Sequence, residues 1–455
     1  MSKKKGSAKE AKLAWWQLSM IGIGCIIGTG FFLGSALAIT RTGPSAIIVF
    51  AVAALGTYLV FDALAKMAAK DPQKGSFRSY AKKAYGNWAG FSSGWVYWSS
   101  ELLIMGSQLT ALSLFSRFWF PDIPLWVFAA IFAVLGIGVV LTGTSGFEKM
   151  ENIFAVIKVA AIFMFLVIAT LAVFGVFRGL GHEVNMTRTL DQFFPGGYMG
   201  LWTALIFGFY AFGGIEIMGI MAPRLKNKND APKAGKIMLL LLATIYLFSI
   251  AFTVLLVPFN DFSTKESPFV TALDHYQLPL VPHLFNGAMI IAGFSTMCAS
   301  LFAVTSMIVT LSKDGDAPKA LAKKGKLKVP HFALSLTILG LIASIVLALA
   351  MPDRIYEYLT TAAGLMLMYN WLFLLFSYKK IIKLTTFDQT KRFGAILLIV
   401  LAVSGTLFDR ESRPGFFISV IFIALIGLIL VIRNTVNKRK KKKEKDAKVP
   451  RPRFQ

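Results

Sequence analysis

Cysteine, histidine and acidic side chains are scarce in this sequence of 455 residues. It holds 2 cysteines, 4 histidines, and 23 Asp and Glu against 48 Lys and Arg. Cys25 and Cys298 both fall inside apolar runs, so no disulfide framework exists. His182, His275, His283 and His331 lie in loops or at the ends of apolar runs without metal-ligand spacing, which leaves a histidine or cysteine metal site unsupported. Charged residues make up only 16%, and the acids are scattered through short loops. A membrane acyl or glycosyl transferase would want clustered His, Asp or Glu in a polar loop, so an enzyme is not expected and no cofactor is called for.

What fills the sequence instead is apolar. Hydrophobic residues reach 56% and mean hydropathy is +0.65, outside the range of soluble domains. Runs near or above the roughly 20 residues that cross the hydrocarbon recur along the whole chain. They are continuous and rich in Leu, Ile, Ala and Phe, whereas a β-barrel would show alternating segments of about ten residues. The expectation is an all-α membrane protein with twelve spans, near 17–39, 44–69, 88–116, 124–144, 151–177, 198–222, 235–258, 284–312, 332–351, 356–378, 393–408 and 415–432. The eleventh is the weakest, being short and followed by "FDRESRP" at 408–414. "GSALA" at 34–38 mimics a signal-peptidase site, but the preceding apolar run is too long for a signal core and eleven spans follow it.

The net charge of +25 is topological rather than a nucleic-acid footprint. With the N-terminus inside, 39 Lys and Arg fall on cytoplasmic segments, 8 on outer loops, and one, Lys158, within a span. That asymmetry is the positive-inside rule and puts both termini in the cytoplasm of a cell-membrane protein. The tail "KRKKKKEKDAKVPRPR", 438–453, reads as a disordered topological signal, with anionic lipid headgroups as the other partner it could take.

The first span contains "GIGCIIGTGFFLG" from residue 22, and the sixth contains "FGFYAFGGIEIMG" at 207–219. Glycine weakens a helix interior by up to about 1 kcal/mol relative to alanine, so both stretches are candidate helix breaks. Close helix packing would explain Gly24 and Gly28, four apart, but it requires neither Thr29 between glycines nor Glu216 after Gly213 and Gly214. Two breaks five spans apart fit a 5+5 inverted repeat with discontinuous helices 1 and 6, in which the second half starts from the opposite side. The expected units are therefore a cytoplasmic N-terminus at 1–16, a first five-helix repeat at 17–177, a second at 198–378, two accessory helices at 393–432 and the basic tail at 433–455. Unwound backbone offers N–H groups to an anion and carbonyls to a cation. A zwitterion such as an α-amino acid answers both, and a sugar does not.

Several stretches carry a family resemblance as a set: "IGTGFFLG", "GSFRSYAKKAYG" at 75–86, "FYAFGGIEIMGI" with "APKA" at 231–234, and "LSKDGDAPKAL" at 311–321. Through roughly the first 380 residues the chain resembles the amino acid permeases of the amino acid/polyamine/organocation superfamily, and "FSSGWVYW" with "QLTALS" resembles its bacterial amino acid transporter subfamily. The resemblance implies secondary active transport, usually driven by protons. It also implies that the amides around Gly28, Thr29 and Gly30 hold the substrate carboxylate. The carbonyls of Ile26, Tyr210, Ala211 and Gly213 would hold the α-ammonium, with Tyr210 and Phe212 near the bound side chain. The chain departs from relatives at Gln108, where they often have glutamate, around Met307, and at Pro223 and Arg224.

Asp62, Glu101, Lys158 and Glu216 are the ionisable side chains counted within spans. Such residues cost about 2.5 to 3.5 kcal/mol at a helix centre, so function is the default for the deep ones. Asp62, near Lys66, reads as a helix-end residue. Lys158 sits about two turns into span five, where proton-coupled relatives place an amine, and leads the proton-coupling candidates ahead of Glu216 and Glu101; a lysine snorkelling to the headgroups is the other reading. Ser295, Ser300 and Thr305 either face Lys158 or bond back to their own helix. The expected function is proton symport of a neutral amino acid, threonine, serine or a small branched aliphatic one. An amino acid exchanger, a transporter-like sensor and a membrane enzyme are the alternatives.

Overall fold

The computed structural model describes residues 13–73, 75–176, 187–276, 278, 280–323, 330–350 and 354–448, without side chains at 144–149, 152, 220, 223, 347–348 and 437–448. His182, the first twelve residues and the tail beyond Lys448 lie outside that set. Among the described residues the regular structure is helical, apart from one isolated bridge between Leu13 and Leu225.

In chain order the helices are α1 (Trp15–Ile26), α2 (Thr29–Phe32), α3 (Gly34–Thr42), α4 (Ala46–Lys70), α5 (Ser76–Tyr85), α6 (Asn87–Arg117), α7 (Leu125–Leu141), α8 (Thr144–Val173) and α9 (Leu190–Phe193). There follow α10 (Gly197–Ala211), α11 (Glu216–Met221), α12 (Ala231–Leu256), α13 (Pro268–Asp274), α14 (Val281–Lys313), α15 (His331–Ala350), α16 (Ile355–Ile381), α17 (Thr386–Phe408) and α18 (Arg413–Lys448). Eight helical segments are long and apolar enough to cross a membrane, and Trp15–Ile26, Leu125–Leu141 and His331–Val346 are shorter apolar helices beside them. In lipid a helix satisfies its own backbone, which is why these runs fold this way.

The long α6 is the polar exception. It buries Ser93, Ser100, Glu101, Ser107, Gln108, Thr110 and Ser113 against α14 and α16, so its polar side chains face protein rather than lipid. Leu and Phe residues of α17 and α18 stay exposed on the outside of the bundle, as lipid-facing surfaces require. Beside the site, Phe31 stacks on Tyr246 at 3.9 Å between centroids, and Phe269, Phe165 and Phe285 extend that cluster.

Both expected breaks are present. Helix α1 stops at Ile26, Ile27 and Gly28 are extended, and α2 starts at Thr29 and runs on into α3. Helix α10 stops at Ala211, a turn covers Phe212–Ile215, and α11 starts at Glu216. Gly214 has φ +113°, a backbone region that side chains other than glycine rarely enter.

Several elements differ from expectation, α8 among them, which starts at Thr144 rather than 151. Helix α17 begins at Thr386 rather than 393, because Thr385 and Asp388 form a reciprocal capping box that starts it in polar sequence. Helix α5 was not expected as a separate element. Helix α18 continues to Lys448, so the backbone of the basic stretch is helical where disorder was expected. Lys, Arg and Glu are good helix formers, and extending an existing helix avoids the cost of nucleation.

Candidate functional site

The two breaks meet around one cavity. Its walls include Ile26, Gly28 and Gly30 from the first break, Tyr210, Gly213 and Gly214 from the second, Glu101, Ile104 and Gln108 from α6, and Thr296, Ala299 and Ser300 from α14. It holds about 560 Å³ of empty space, part of it open to solvent. Close approach needs glycine here. A Cβ on Gly28 would stand 2.7 Å from the Thr296 methyl, and one on Gly30 would stand 3.1 Å from the Tyr210 ring.

The backbone at the first break is free to bind. Among the described residues, the amides of Gly28, Thr29 and Gly30 have no acceptor, as expected at a helix start. The Thr29 hydroxyl donates to Gln108 Oε1 at 2.5 Å, and the Thr29 carbonyl accepts from the Tyr356 hydroxyl at 3.0 Å, so both of its other polar groups hold the half-helix in place. On the cation side the four named carbonyls divide. Those of Ile26 and Gly213 lack a donor among the described residues, whereas Tyr210 O accepts from the Gly213 amide at 3.0 Å and Ala211 O from the Tyr246 hydroxyl at 3.2 Å. The Tyr210 ring lines the cavity with its hydroxyl 2.5 Å from Ser107 Oγ. Phe212 turns away, its ring 4.9 Å from that of Tyr246.

Three separate settings hold the buried proton-coupling candidates. Glu216 is 1% exposed and closes the second break, accepting from its own turn at Gly214 N–H (2.8 Å) and from the Trp371 indole (2.5 Å). Glu101 lines the cavity itself, with the Ser300 and Tyr97 hydroxyls beside its carboxyl. Lys158 is fully buried and does not snorkel. Its ammonium donates to Gly24 O at 2.6 Å and lies 3.5 Å from Glu151 Oε1, while Ser295 donates to Glu151 Oε2 at 2.6 Å. Ser295 therefore reaches Lys158 through Glu151, and Ser300 stands beside Glu101 instead. Thr305 bonds back to Leu301 O at 2.8 Å and meets Thr337. Asp62 pairs with Lys66 of its own helix (2.8 Å) and with Lys391 of α17 (3.3 Å), a helix-end role.

Glu151 is the residue missed from sequence. It stands at the first position of the expected fifth span and was not counted as buried, yet its seven-residue offset from Lys158 is a same-face spacing that would have paired them. Trp371 and Tyr356 gave no such signal, since their partners are 155 and 327 residues away.

The family model for amino acid permeases matches residues 17–447. The chain belongs to the amino acid permease family. It is 55% identical over 432 residues to the uncharacterized transporter YcgH of Bacillus subtilis (strain 168), covering 95% of this chain and 97% of that one. It is 30% identical over 431 residues to the aromatic amino acid transport protein AroP of Escherichia coli (strain K12), covering 91% and 93%. Among solved structures, the crystal structure of a mutant manganese transporter of Eremococcus coleocola superposes with TM-score 0.57 at 12% identity, covering 96% of this chain and 98% of that one, which is a likeness of fold. The protein is thus a multi-pass membrane permease for amino acids and not an enzyme.

Proposed function

We propose that this permease is a proton symporter that imports a neutral amino acid across the cell membrane by alternating access. The observation that carries the reading is the meeting of two helix breaks at one cavity. Amides of Gly28, Thr29 and Gly30 without a partner among the described residues suit a carboxylate, and the carbonyls of Ile26 and Gly213, likewise without one, with those of Tyr210 and Ala211 close by, suit an ammonium. In this reading twelve spans form a 5+5 inverted repeat plus two accessory helices, and both termini are cytoplasmic. Domain limits follow those set out from sequence except that the accessory helices begin at Thr386 and the second runs on into the basic stretch, which serves as a topological signal with anionic lipid as the other partner it could take. Lys158, Glu216 and Glu101 carry or respond to the coupled proton, Lys158 foremost because its ammonium bonds the last turn of α1 just before the break.

The walls at Ile104, Ile217, Ala299 and Ala303 are apolar, which supports a neutral side chain. Threonine, serine and small branched aliphatic residues head the candidates, and the name of the AroP relatives adds aromatic ones to the panel. The test is uptake of labelled amino acids into proteoliposomes under an imposed pH gradient. At least one neutral amino acid should accumulate in a gradient-dependent way, and Lys158→Ala should abolish accumulation before it abolishes substrate binding. No uptake of any amino acid, with or without internal substrate, would sink the reading. Sodium-dependent uptake indifferent to pH would overturn the role of Lys158.

A further inference from the structure

Lys158 and Glu151 lie seven residues apart on α8, an axial rise of about 10.5 Å, and differ by only about 20° in direction around the helix. Side chains on a helix lean toward its N-terminus, so the long lysine folds back over two turns toward the carboxylate. The resulting separation is 3.5 Å from Nζ to Oε1. The two ends of this pair differ in access. The Lys158 side chain is 0% exposed and that of Glu151 12%, so Glu151 is the more exposed end of the pair. Its second oxygen is fixed by Ser295 of α14 at 2.6 Å, and the ammonium is fixed by Gly24 O of α1 at 2.6 Å. Among the described residues, the other titratable groups recorded beside the pair are the thiols Cys25 of α1 and Cys298 of α14, with Glu101 of α6 beyond Cys25.

We propose that Glu151 is the proton-exit group of this transporter, taking the proton from Lys158 and releasing it to cytoplasmic water. This rests on the reading of Lys158 as carrier of the coupled proton. In the transfer one Nζ–H bond of the ammonium breaks and an Oε1–H bond forms on Glu151, which turns an ion pair into a neutral amine and a neutral acid. Little net charge moves through the low-dielectric interior, so the step avoids leaving a lone charge buried. From this partly exposed side chain Glu151 then loses the proton to water and regains the negative charge that receives the next one. The amine keeps its hydrogen bond to Gly24 O throughout, so the state of the pair is felt two residues before the break that holds the substrate.

The experiment uses the full chain in proteoliposomes loaded with a pH-sensitive dye, with wild type, Glu151→Gln, Glu151→Asp and Lys158→Ala side by side. Glutamine keeps an acceptor for Ser295 but cannot take a proton. Glu151→Gln should slow net gradient-driven uptake and substrate-dependent internal acidification at least tenfold. Substrate counterflow, which needs no net proton release, should fall less than threefold. Glu151→Asp should recover much of the net rate with a displaced pH profile. A wild-type net rate and dye signal in Glu151→Gln overturns the proposal, and so does a loss of counterflow equal to the loss of net uptake in both Glu151 variants. If Lys158→Ala still accumulates substrate with the gradient, the underlying reading of Lys158 fails. If only Lys158→Ala loses accumulation, the reading of Lys158 stands and the exit role of Glu151 falls.

Discussion

Gly214 shows how a single residue sets the second break. Its φ of +113° is available to glycine, its amide is held by Glu216, and a Cβ there would stand 3.0 Å from the Ile26 side chain of the first break. Gly214→Ala should therefore cost about 1–3 kcal/mol of stability from backbone strain alone. It should also depress uptake strongly, because the strain falls where the two breaks touch. A Tm in detergent beside an uptake rate in vesicles separates the two effects, and a variant equal to wild type in both would refute this account. The partner of the same turn is Trp371, whose indole completes the coordination of the Glu216 carboxylate. Trp371→Phe keeps the ring but removes the donor, and a hydrogen bond to a charged group is worth about 1.5–3 kcal/mol. The expected outcome is a lower Tm together with weakened uptake, with Glu216→Gln in the same background adding less than it does in wild type. Non-additivity of that kind is the mark of a direct contact. Gly214 and Glu216 could be picked out from the sequence by their adjacency; Trp371 could not, since nothing local marks a tryptophan in an apolar helix as a donor to a residue five helices earlier.

At the scale of elements, apolar runs fix where the long helices lie, because hydropathy is a local property of twenty or so residues. The pairing of breaks was legible for the same reason: glycine, threonine and glutamate are out of place in a span, and their cost is intrinsic. What sequence did not reveal was how elements are tied together. Helix α3 is one example. Arg41 lies in its last turn, and nothing local in the sequence marks it as more than one basic residue near an outer loop. In the structure its guanidinium pairs with Glu357 of α16, lies 2.9 Å from Asp409 in the turn before α18, and sits over the Phe207 ring of α10 at 4.7 Å. Three elements thus converge on the far end of the half-helix whose start holds the proposed carboxylate site. Arg41→Ala leaves Glu357 and Asp409 facing each other without a cation, and should reduce uptake about tenfold or more with a lower Tm. Arg41→Lys should rescue only part of this, because a point charge cannot fork between two carboxylates. Full rescue by lysine would show that charge alone matters, and the fork does not.

Across the whole molecule, the end opposite Arg41 carries a second network built around Arg78 of "GSFRSYAKKAYG". Arg78 is 3% exposed and pairs with Asp314 and Asp316 in the loop after α14, the "KDGDAPK" stretch. Arg433 of α18 pairs with the other oxygen of Asp316 at 2.6 Å and lies over the Phe91 ring of α6 at 5.0 Å. The two sequence motifs that seemed separate therefore meet, and the accessory helix that carries the basic tail is tied to them. The members should contribute unequally. Asp316 is buried, and replacing it with asparagine leaves Arg78 with one carboxylate that is itself partly exposed; breaking a buried pair costs about 3–5 kcal/mol. Arg433 is about a quarter exposed, so its pair is screened and Arg433→Ala should cost about 1 kcal/mol or less. Asp316→Asn should thus lower the Tm far more than Arg433→Ala does. The double variant should be only slightly worse than Asp316→Asn alone, since the ion pair of Arg433 is already gone and its exposed contact to Gly315 O (3.2 Å) and the Phe91 ring remain as minor ties. If instead the two losses add fully, Arg433 holds the loop through Gly315 O and the Phe91 ring rather than through the Asp316 carboxylate.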